Sequence, residues 1–521
     1  MKAKNLFSMA ALALVGACIS ACSGSDEIVT EQPVQPTGGP IVIKGELAPK
    51  GGETRSTVND DGVATWSSGD QIAIVQTSNP TQKVIATVSV GNTSEFSATL
   101  PDNSWLSKEV KLIYPASCEN MDLVNNTVFS TEGIESQGGT QASLSNWDIC
   151  VGTMTLPGVL PTSVSGVYNV GSVTLTPQMS VCKFVLQTEE SEAISTTGLT
   201  LNVVSGENTD MYTLSPGSAT NTFYVAMKPA SEASISIFTA PASGKVYGTT
   251  LSSVTMESGT IYNTTLTMNT AGVQLWENGP IWATMNVGAT KEHEFGLYFQ
   301  WGDISGCEED PESNTSAHDY WWNAYRFSQY DSPIALDDYD ISPNFKKYCY
   351  TSSYGYNGFT DQLTELELKD DAARRYWGGN WRMPTKEDFE ELIENCRLEK
   401  CDYEVFDEGV FGQGGGYNNT GINGILFRGR GDYSANVIFI PWAGYCYMAT
   451  SLQDYYDKQV NYLGHYWTSN LVPIDDTIDG DGSKCAYTFD TGFDYSYPGI
   501  IGSTYKRYEG CTIRPIMSIS E

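Results

Sequence analysis

The chain has 521 residues, with 62 acidic and 29 basic side chains and a formal net charge of −33. This excess of negative charge excludes a general nucleic-acid binder, which needs a basic face to neutralise phosphates, and it disfavours attraction to an anionic membrane surface. Hydrophobic residues make up 40% and aromatic residues 12%, so the chain can bury large cores, and its 50 glycines favour β-structure over helix.

Residues 1–21 have the features of a bacterial lipoprotein signal peptide. Two lysines precede a short apolar stretch, and residues 19–22 (ISAC) have the form of a lipobox in which Cys22 takes the lipid. A lipobox ending at Cys18 and an ordinary secretory signal are the alternatives, but a polar, acidic run that resembles the surface-export signal of Bacteroidetes lipoproteins follows Cys22 directly. Residues 22–40 are rich in Pro, Gly, Gln and Thr and predict a flexible tether. We therefore expect a cell-surface lipoprotein of the outer membrane, because no later segment has the length or apolarity of a transmembrane helix.

The composition of the chain changes near residue 270. Residues 22–270 contain 14 aromatic side chains, whereas residues 271–521 contain 45 in nearly the same length. The first of these stretches has no histidine, so a general base there would have to be a carboxylate or a lysine. The shift in composition predicts a domain boundary close to residues 269–272.

Short stretches of alternating apolar and polar residues, separated by Gly, Asn, Ser and Asp, fill the first part of the chain. This alternation is typical of β-strands. The predicted strands are 71–76, 83–90, 110–114, 172–177, 181–187, 199–204, 223–227 and 261–268. The pattern predicts two consecutive all-β sandwich domains, at residues 41–160 and 161–270.

Four segments of this part, in order, resemble the fimbrillin family of Bacteroidetes, the subunits of type V pili. They are 65–72 (TWSSGDQI), 96–101 leading to 112–116 (LIYPA), 175–184 (LTPQMSVCKF) and 259–262 (GTIY). The resemblance implies two β-sandwich domains. It also implies that an arginine-specific protease cuts after Arg55, in the loop behind the first strand, and so opens a groove for a donor strand from another subunit by β-augmentation. The alternative is that Arg55 is an ordinary solvated loop residue and the protein stays lipidated.

Two helices are predicted in the C-terminal part. The first covers residues 366–377, with Asp370 and Asp371 on its solvent-facing side, and it ends at Gly378-Gly379. The second has Thr385 as its N-cap and buries one apolar face against a β-rich body. That face consists of Phe389, Leu392, Ile393 and Cys396.

The segment 378–385 (GGNWRMPT) and seven strand-like landmarks closely resemble the Fibrobacter major paralogous domain over residues 273–517. The landmarks are 282–289, 296–303, 422–427, 438–445, 466–469, 486–489 and 512–515. That family is related to C-type-lectin-like and formylglycine-generating-enzyme-like folds. The resemblance implies an α+β, C-type-lectin-like domain at residues 271–521, after the two all-β sandwich domains.

A catalytic constellation is not recognisable in this C-terminal part. Formylglycine-generating enzymes need a thiol-based copper site, but Cys396 and Cys401 are the only close cysteine pair and no CxxC clamp occurs. The histidines, His293, His318 and His465, are widely spaced, which favours structural or surface roles. We therefore expect no enzymatic activity and no cofactor.

The acidic segment between Trp467 and Ala486 raises the question of calcium. Asp475, Asp479 and Asp481 supply the oxygen ligands that Ca²⁺ prefers, but an EF-hand that begins at Asp475 has Ala486 at its twelfth position in place of the required Glu. The EPN or QPD and WND signatures of Ca²⁺-dependent lectins are also missing. A solvated acidic loop is the favoured interpretation, and a Ca²⁺ site at the three aspartates is the alternative.

Loops rich in Tyr, Trp, Asp and Asn, at residues 304–358 and 445–466, suggest recognition. Aromatic rings offer large contact area with few rotamers to freeze, and sugars stack on them. Most of these rings are expected to build a core that is poor in Leu and Val. We predict that Trp321 and Trp322 are partly exposed, and the ligand-binding candidates are Trp321, Trp322, Tyr455 and Tyr456.

Together these features predict a cell-surface adhesin, the tip subunit of a type V pilus. The fimbrillin-like part would join other pilus subunits by donor-strand exchange, and the C-terminal domain would bind a host or microbial surface glycan or protein. A tip position is inferred because stalk subunits need a C-terminal donor strand, whereas this chain ends just after residues 513–515. The alternatives are a lipid-anchored glycan-binding lipoprotein that never polymerises and, more remotely, a formylglycine-generating-type oxidase.

Overall fold

A computed structural model describes most of the chain after residue 39. The described residues are 40–47, 57–58, 64–159, 167–242, 244–307, 322, 324–331, 343–401, 405–406, 410–411, 420–446, 461, 463–472, 484–492, 499–501 and 505–518. The fold is mostly β-sheet, with two α-helices in the described part of the chain. Within these ranges no helix is long and apolar enough to cross a membrane.

The first unit is built on one eight-stranded sheet. Its strands, in chain order, are β1 (Ile41–Leu47), β4 (Gln71–Gln76), β5 (Asn79–Val90), β6 (Ser94–Leu100), β7 (Glu109–Tyr114), β11 (Cys150–Thr155), β12 (Val167–Val173) and β13 (Thr176–Pro177). Their order across the sheet is β12-β1-β6-β5-β4-β7-β11-β13. The main apolar cluster contains side chains from β12, at one end of this order, through to β11, next to the other end. Two short hairpins accompany it, β2 (Thr57–Val58) with β3 (Ala64–Thr65) and β8 (Glu119–Asp122) with β9 (Thr127–Phe129).

The second unit is a sandwich of two sheets. One side is the three-stranded sheet β17-β14-β20, formed by β14 (Ser180–Gln187), β17 (Thr222–Met227) and β20 (Ile261–Thr267). The other side belongs to a longer sheet and comprises β10 (Ser136–Gln137), β15 (Leu199–Ser205), β16 (Asn208–Leu214), β18 (Ala230–Ala242) and β19 (Lys245–Met256). Alternate side chains of both sheets meet in one core, as in aligned sheet packing.

The strand pairing crosses the joint expected near residue 160. β10 lies before that joint in the chain but pairs with β16 of the second unit, whereas β12 and β13 lie after it and pair in the first sheet. The two units therefore exchange short strands on either side of the joint. The predicted strands themselves are confirmed, because each of the eight sequence stretches overlaps an observed strand.

The C-terminal part continues the longer sheet of the second unit. β21 (Asn269–Gln274), β22 (Ile281–Ala283), β32 (Ile516–Met517) and β23 (Trp381–Arg382) extend it to nine strands in the order β10-β16-β15-β18-β19-β21-β22-β32-β23. The other strands form two three-stranded sheets and a hairpin. They are β24 (Arg397–Cys401), β27 (Gly424–Arg428) and β28 (Val437–Pro441); β29 (Leu463–Leu471), β30 (Ala486–Gly492) and β31 (Gly499–Ile501); and β25 (Val405–Phe406) with β26 (Val410–Phe411).

The first predicted helix is wrong in its start and in its solvent-facing side. Helix α1 covers only Ala372–Trp377, and both Asp370 and Asp371 are buried. Asp371 is the N-cap, and one of its carboxylate oxygens accepts hydrogen bonds from the backbone N–H of Ala373 and of Arg374. These aspartates can be buried because their charges have partners, a fact that their position on a helical wheel does not reveal. The end of the helix at Gly378 is as predicted.

The second helix agrees with its sequence pattern. Helix α2 covers Lys386–Asn395, and Thr385 is its N-cap in a capping box with Asp388. Arg382 holds the same Asp388 carboxylate with an Nη1–Oδ2 distance of 2.7 Å. Its apolar face packs inward as expected, with Phe389, Leu392 and Cys396 fully buried and Ile393 at the rim of the core.

Helix α1 fastens the C-terminal part to the second unit. Trp377 and Trp381 pack around Phe238 of β18, with ring centroids 5.0 and 5.6 Å from it. The guanidinium of Arg375 donates hydrogen bonds to the carbonyl oxygens of Gly206 and Glu207, in the turn between β15 and β16, and to the Thr209 hydroxyl in β16. This contact is made by side chains that lie far apart in the sequence.

We expect the substitution Arg375→Ala to lower the free energy of unfolding by about 1–3 kcal/mol, because it removes charge-assisted hydrogen bonds across this contact. The matched control is Arg374→Ala, on the same helix, whose guanidinium donates no hydrogen bond to any residue in the described ranges. Urea denaturation of both variants measures the difference. Equal losses for the two arginines would contradict the assignment.

Candidate functional sites

Strand β1 lies in the interior of the first sheet although it is the first described strand of the chain. It pairs antiparallel with β6 along its whole length, from Ile41 opposite Leu100 to Leu47 opposite Ser94. On its other side it pairs in parallel with β12. A strand at the N-terminal side of the chain therefore occupies a slot between two strands that come later in the sequence.

Alternate residues of β1 complete the core of the first unit. Ile41, Ile43 and Leu47 are at most 3% exposed, whereas Lys44 and Glu46 face solvent to different degrees. Burial of one such aliphatic side chain contributes about 1.5–3 kcal/mol. If β1 left the sheet, it would expose an apolar slot and two rows of unpaired backbone groups. Such an edge is a template for another strand.

A second candidate site is a polar cluster on the sheet of β29 and β30. His465 of β29 stands directly opposite Asp490 of β30 in the antiparallel register. Their side chains are 0% and 1% exposed, and the imidazole Nδ1 lies 3.0 Å from the carboxylate Oδ1, off the line of a hydrogen bond. On the other side of the ring, the Tyr505 hydroxyl lies 3.1 Å from Nε2. The partly exposed ring of Tyr445 packs edge-on against the imidazole, 4.9 Å between centroids.

In this cluster the histidine lies between a carboxylate and a phenol. The arrangement holds the imidazole ring in place, and both tyrosine rings beside it are partly exposed to solvent. Across the described ranges, no three His, Cys, Asp or Glu side chains are grouped so that they could hold a metal ion. Tyr445 and Tyr505, both partly exposed, are the outer members of this cluster.

Burial favours the neutral forms of one carboxyl group, Glu509, and of two thiols, Cys511 and Cys396. Burial, together with the charge of Asp490, raises the pKa of Glu509 to about 8, against a hydrogen bond from the Lys506 backbone N–H that favours the carboxylate. Burial also raises the pKa of the Cys511 thiol well above its ordinary value, and it raises the pKa of Cys396 to about 12. Thiols with such pKa values are poor nucleophiles at neutral pH.

Arg507, two residues after Tyr505 in the chain, is enclosed by aromatic rings. Its guanidinium carbon lies 3.6 Å from the ring centroid of Phe345 and 5.5 Å from that of Tyr325, and its Nη1 donates to the Tyr348 carbonyl oxygen over 3.0 Å. Burial lowers the pKa of this guanidinium from its ordinary value. Cation–π contact and one hydrogen bond thus connect the segment 505–511 to the segment 322–350.

Trp322 belongs to this aromatic core. Its side chain is 4% exposed, and its ring meets those of Tyr508, Phe345 and Tyr325 edge-on, with centroids 4.7, 5.3 and 5.7 Å away. The prediction that Trp322 is partly exposed is therefore wrong. An aromatic-rich segment has the same composition whether its rings face solvent or one another, and here ring-to-ring packing prevails.

The other predicted site residues lie outside the described residues. These are Cys22, Arg55, Trp321, Tyr455, Tyr456, Asp475, Asp479 and Asp481. Two of these sets, the tyrosines 455 and 456 and the three aspartates, lie in segments whose two ends are close to each other in space. The backbone N–H of Gly444 donates to Leu463 O over 2.7 Å, and that of Val472 donates to Cys485 O over 3.2 Å. The ends of the aromatic segment therefore lie next to the cluster of His465, whereas the ends of the acidic segment lie at the far end of the β29–β30 pair.

Sequence reasoning missed the residues that the fold assembles. Asp490, Tyr505 and Arg507 belong to no spaced motif, so no local signal could have connected them with His465. Strand β1 is different, since the alternation in 41–47 (IVIKGEL) is visible in the sequence and predicts a half-buried strand.

The chain matches no protein-family model, and no curated protein is similar to it. Similar solved structures include a fimbrial protein from Bacteroides ovatus, with 18% identity and a TM-score of 0.26 over 44% of this chain and 49% of that one. A putative cell adhesion protein from the same organism has 15% identity and a TM-score of 0.27 over 45% and 95% of the two chains. The C-terminally truncated tip fimbrial protein Mfa3 from Porphyromonas gingivalis has 13% identity and a TM-score of 0.22 over 41% and 81%.

The structures similar to this chain are thus fimbrial and putative cell adhesion proteins. This chain spans about half the length of the first of them. At TM-scores this low the likeness carries no conclusion about function, which depends on the residues themselves.

We expect the stability of the protein to depend on pH through Glu509. Because its folded pKa is raised from 4.5 to about 8, its contribution to stability is complete below about pH 4.5 and is lost as the pH rises to about 8. The substitution Glu509→Gln should remove this part of the decline in unfolding free energy between pH 5 and pH 8.5. Denaturation curves at several pH values measure it, with Glu391→Gln on the exposed side of α2 as control. A pH profile parallel to that of the unmodified protein would contradict the prediction.

Proposed function

We propose that this protein is a cell-surface adhesin, the tip subunit of a type V pilus. Its N-terminal β units join the fibre, and its C-terminal part is an α+β, C-type-lectin-like domain that binds a glycan or protein ligand on another surface. Before processing, the lipid on Cys22 holds it to the outer membrane. The observation that supports the assembly role is the position of β1.

Release of β1 is the step that makes assembly possible in this proposal. Arg55 follows β1 in the chain, and cutting after it would separate the strand covalently from the rest of the sheet. The slot between β6 and β12 would then offer backbone donors and acceptors on both sides and apolar pockets within. A donor strand from a neighbouring subunit can fill it by β-augmentation.

β32, the last strand that the structure describes, is held inside its own sheet. β32 pairs on one side with β22 and on the other with β23, and Ile516 is fully buried. In this proposal β32 therefore stays in its sheet, whereas β1 is released by cleavage after Arg55. The N-terminal slot would accept a neighbouring subunit, and the C-terminal part would face outward.

The ligand surface in this proposal lies around the cluster of His465. Tyr445 and Tyr505 are partly exposed there, and the segment with Tyr455 and Tyr456 leaves and returns close to them. Aromatic rings fixed by packing supply contact area without a large loss of rotamer entropy. A solvated acidic loop, or Ca²⁺ at Asp475, Asp479 and Asp481, would lie near the other end of the β29–β30 pair.

We expect the protein purified from the cell surface to begin at Ser56. N-terminal sequencing measures this, and in an Arg55→Ala variant the lipidated Cys22 should remain the N-terminus. Electron microscopy with a label for the protein should show it at fibre ends. A lipidated Cys22 in the unmodified protein, with uniform surface label and no fibres, would instead support a non-polymerising glycan-binding lipoprotein.

We expect binding to a glycan or protein ligand to fall about tenfold or more in a Tyr455→Ala, Tyr456→Ala double variant, since truncated aromatic anchors commonly cost above 1 kcal/mol each. A glycan array probed with and without EDTA measures the binding and its need for Ca²⁺. The complete mature chain is required because β21 pairs with strands of both parts. Tyr356→Ala, in a separate loop, is the control. Unchanged binding in the double variant would exclude this surface.

A further inference from the structure

The fit of β1 in its slot sets a chemical requirement on any strand that replaces it. Resting on the proposed assembly role, we propose that the slot accepts only an extended segment with large apolar residues at positions one, three and seven and a glycine at position five. The segment must run antiparallel to β6, as β1 does. The glycine at position five is therefore as characteristic of the partner segment as its apolar residues are.

Gly45 is the fifth residue of β1 and lies directly opposite Phe96 of β6. A Cβ atom at Gly45 would stand 2.3 and 2.4 Å from the Cζ and Cε1 atoms of the Phe96 ring, far inside van der Waals contact. The ring is fully buried and is part of the core of the first unit, so it has little room to move aside. Phe96 covers the glycine across the strand pair in place of a side chain at that position.

The strand on the other side closes the same space. The register between β1 and β12 shifts between Lys44 and Glu46, and Gly171 lies at this irregularity with φ of +95°. Its carbonyl oxygen would be 3.0 Å from a Cβ at Gly45, and its backbone N–H is held by the Asn169 side chain over 2.8 Å. Both neighbouring strands therefore leave no space for a side chain at position five.

The remaining positions complete the pattern. Ile41, Ile43 and Leu47 fill the core and require large apolar residues, because smaller ones leave cavities. Glu46 is exposed, so the sixth position tolerates a different side chain. An inserted side chain that overpacks a core costs about 1–3 kcal/mol, which corresponds to about a 5- to 150-fold loss of affinity.

Three labelled peptides test the proposal on the mature chain cut after Arg55 and freed of β1. They are residues 41–47 in native sequence and the same peptide with Gly45→Val or with Glu46→Val, which adds the same side chain facing outward. Fluorescence anisotropy should show tight binding of the first and third peptides and at least tenfold weaker binding of the Gly45→Val peptide. Equal binding of all three would overturn the glycine requirement while leaving the assembly slot intact. Binding of none would overturn the slot itself.

The uncut chain provides an independent measurement should the cut chain not refold. Gly45→Val should lower the folding equilibrium constant at least tenfold in the native background and less in a Phe96→Ala background, where the ring is gone. Urea denaturation of the two single variants and the double variant gives the coupling between the two positions. An unchanged cost of Gly45→Val without the Phe96 ring would overturn the role of Phe96.

Discussion

Backbone hydrogen bonding on both sides of strand β21 joins the two halves of this protein. β21 pairs with β19 of the second sandwich and with β22 of the C-terminal part, so one nine-stranded sheet runs through the change in composition near residue 270. Its side chains serve two cores, since Ala271 packs with Phe238 and Trp381, whereas Val273 packs with the helix α2 side. Neither half can be removed without leaving an unpaired strand edge.

This connection gives the C-terminal part a fixed base. Arg375, Trp377 and Trp381 add side-chain contacts to the backbone ladder, on the same sheet that carries the second sandwich core. In the proposed adhesin, a ligand surface built on β29 and β30 would be held to the fibre through this sheet rather than through a flexible linker. Loops that recognise ligands are effective when a rigid scaffold positions them.

The aromatic richness of the C-terminal part has a structural explanation over the described residues. Phe345, Tyr325 and Trp301 surround the Arg507 guanidinium, and the Trp322 ring packs edge-on against Phe345 of this group. Rings that pack edge-to-face can fill a core built largely from loops, where regular helices and sheets supply few aliphatic faces. A large share of the aromatic residues is therefore used for folding, which leaves fewer for recognition than the composition suggests.

The sequence by itself determined the local features of this protein: the strands of the first part, the N-cap at Thr385, and the apolar face of α2. Each depends on side chains within a few residues of one another, so a short window contains the whole cause. Tertiary structure decided the rest. It buried Asp370, Asp371 and Trp322, set His465 opposite Asp490, and placed β1 between β6 and β12 over a glycine that Phe96 covers. These pairings join residues that lie tens to hundreds of positions apart, and they form because buried charges and backbone groups require partners that only the folded chain brings within reach.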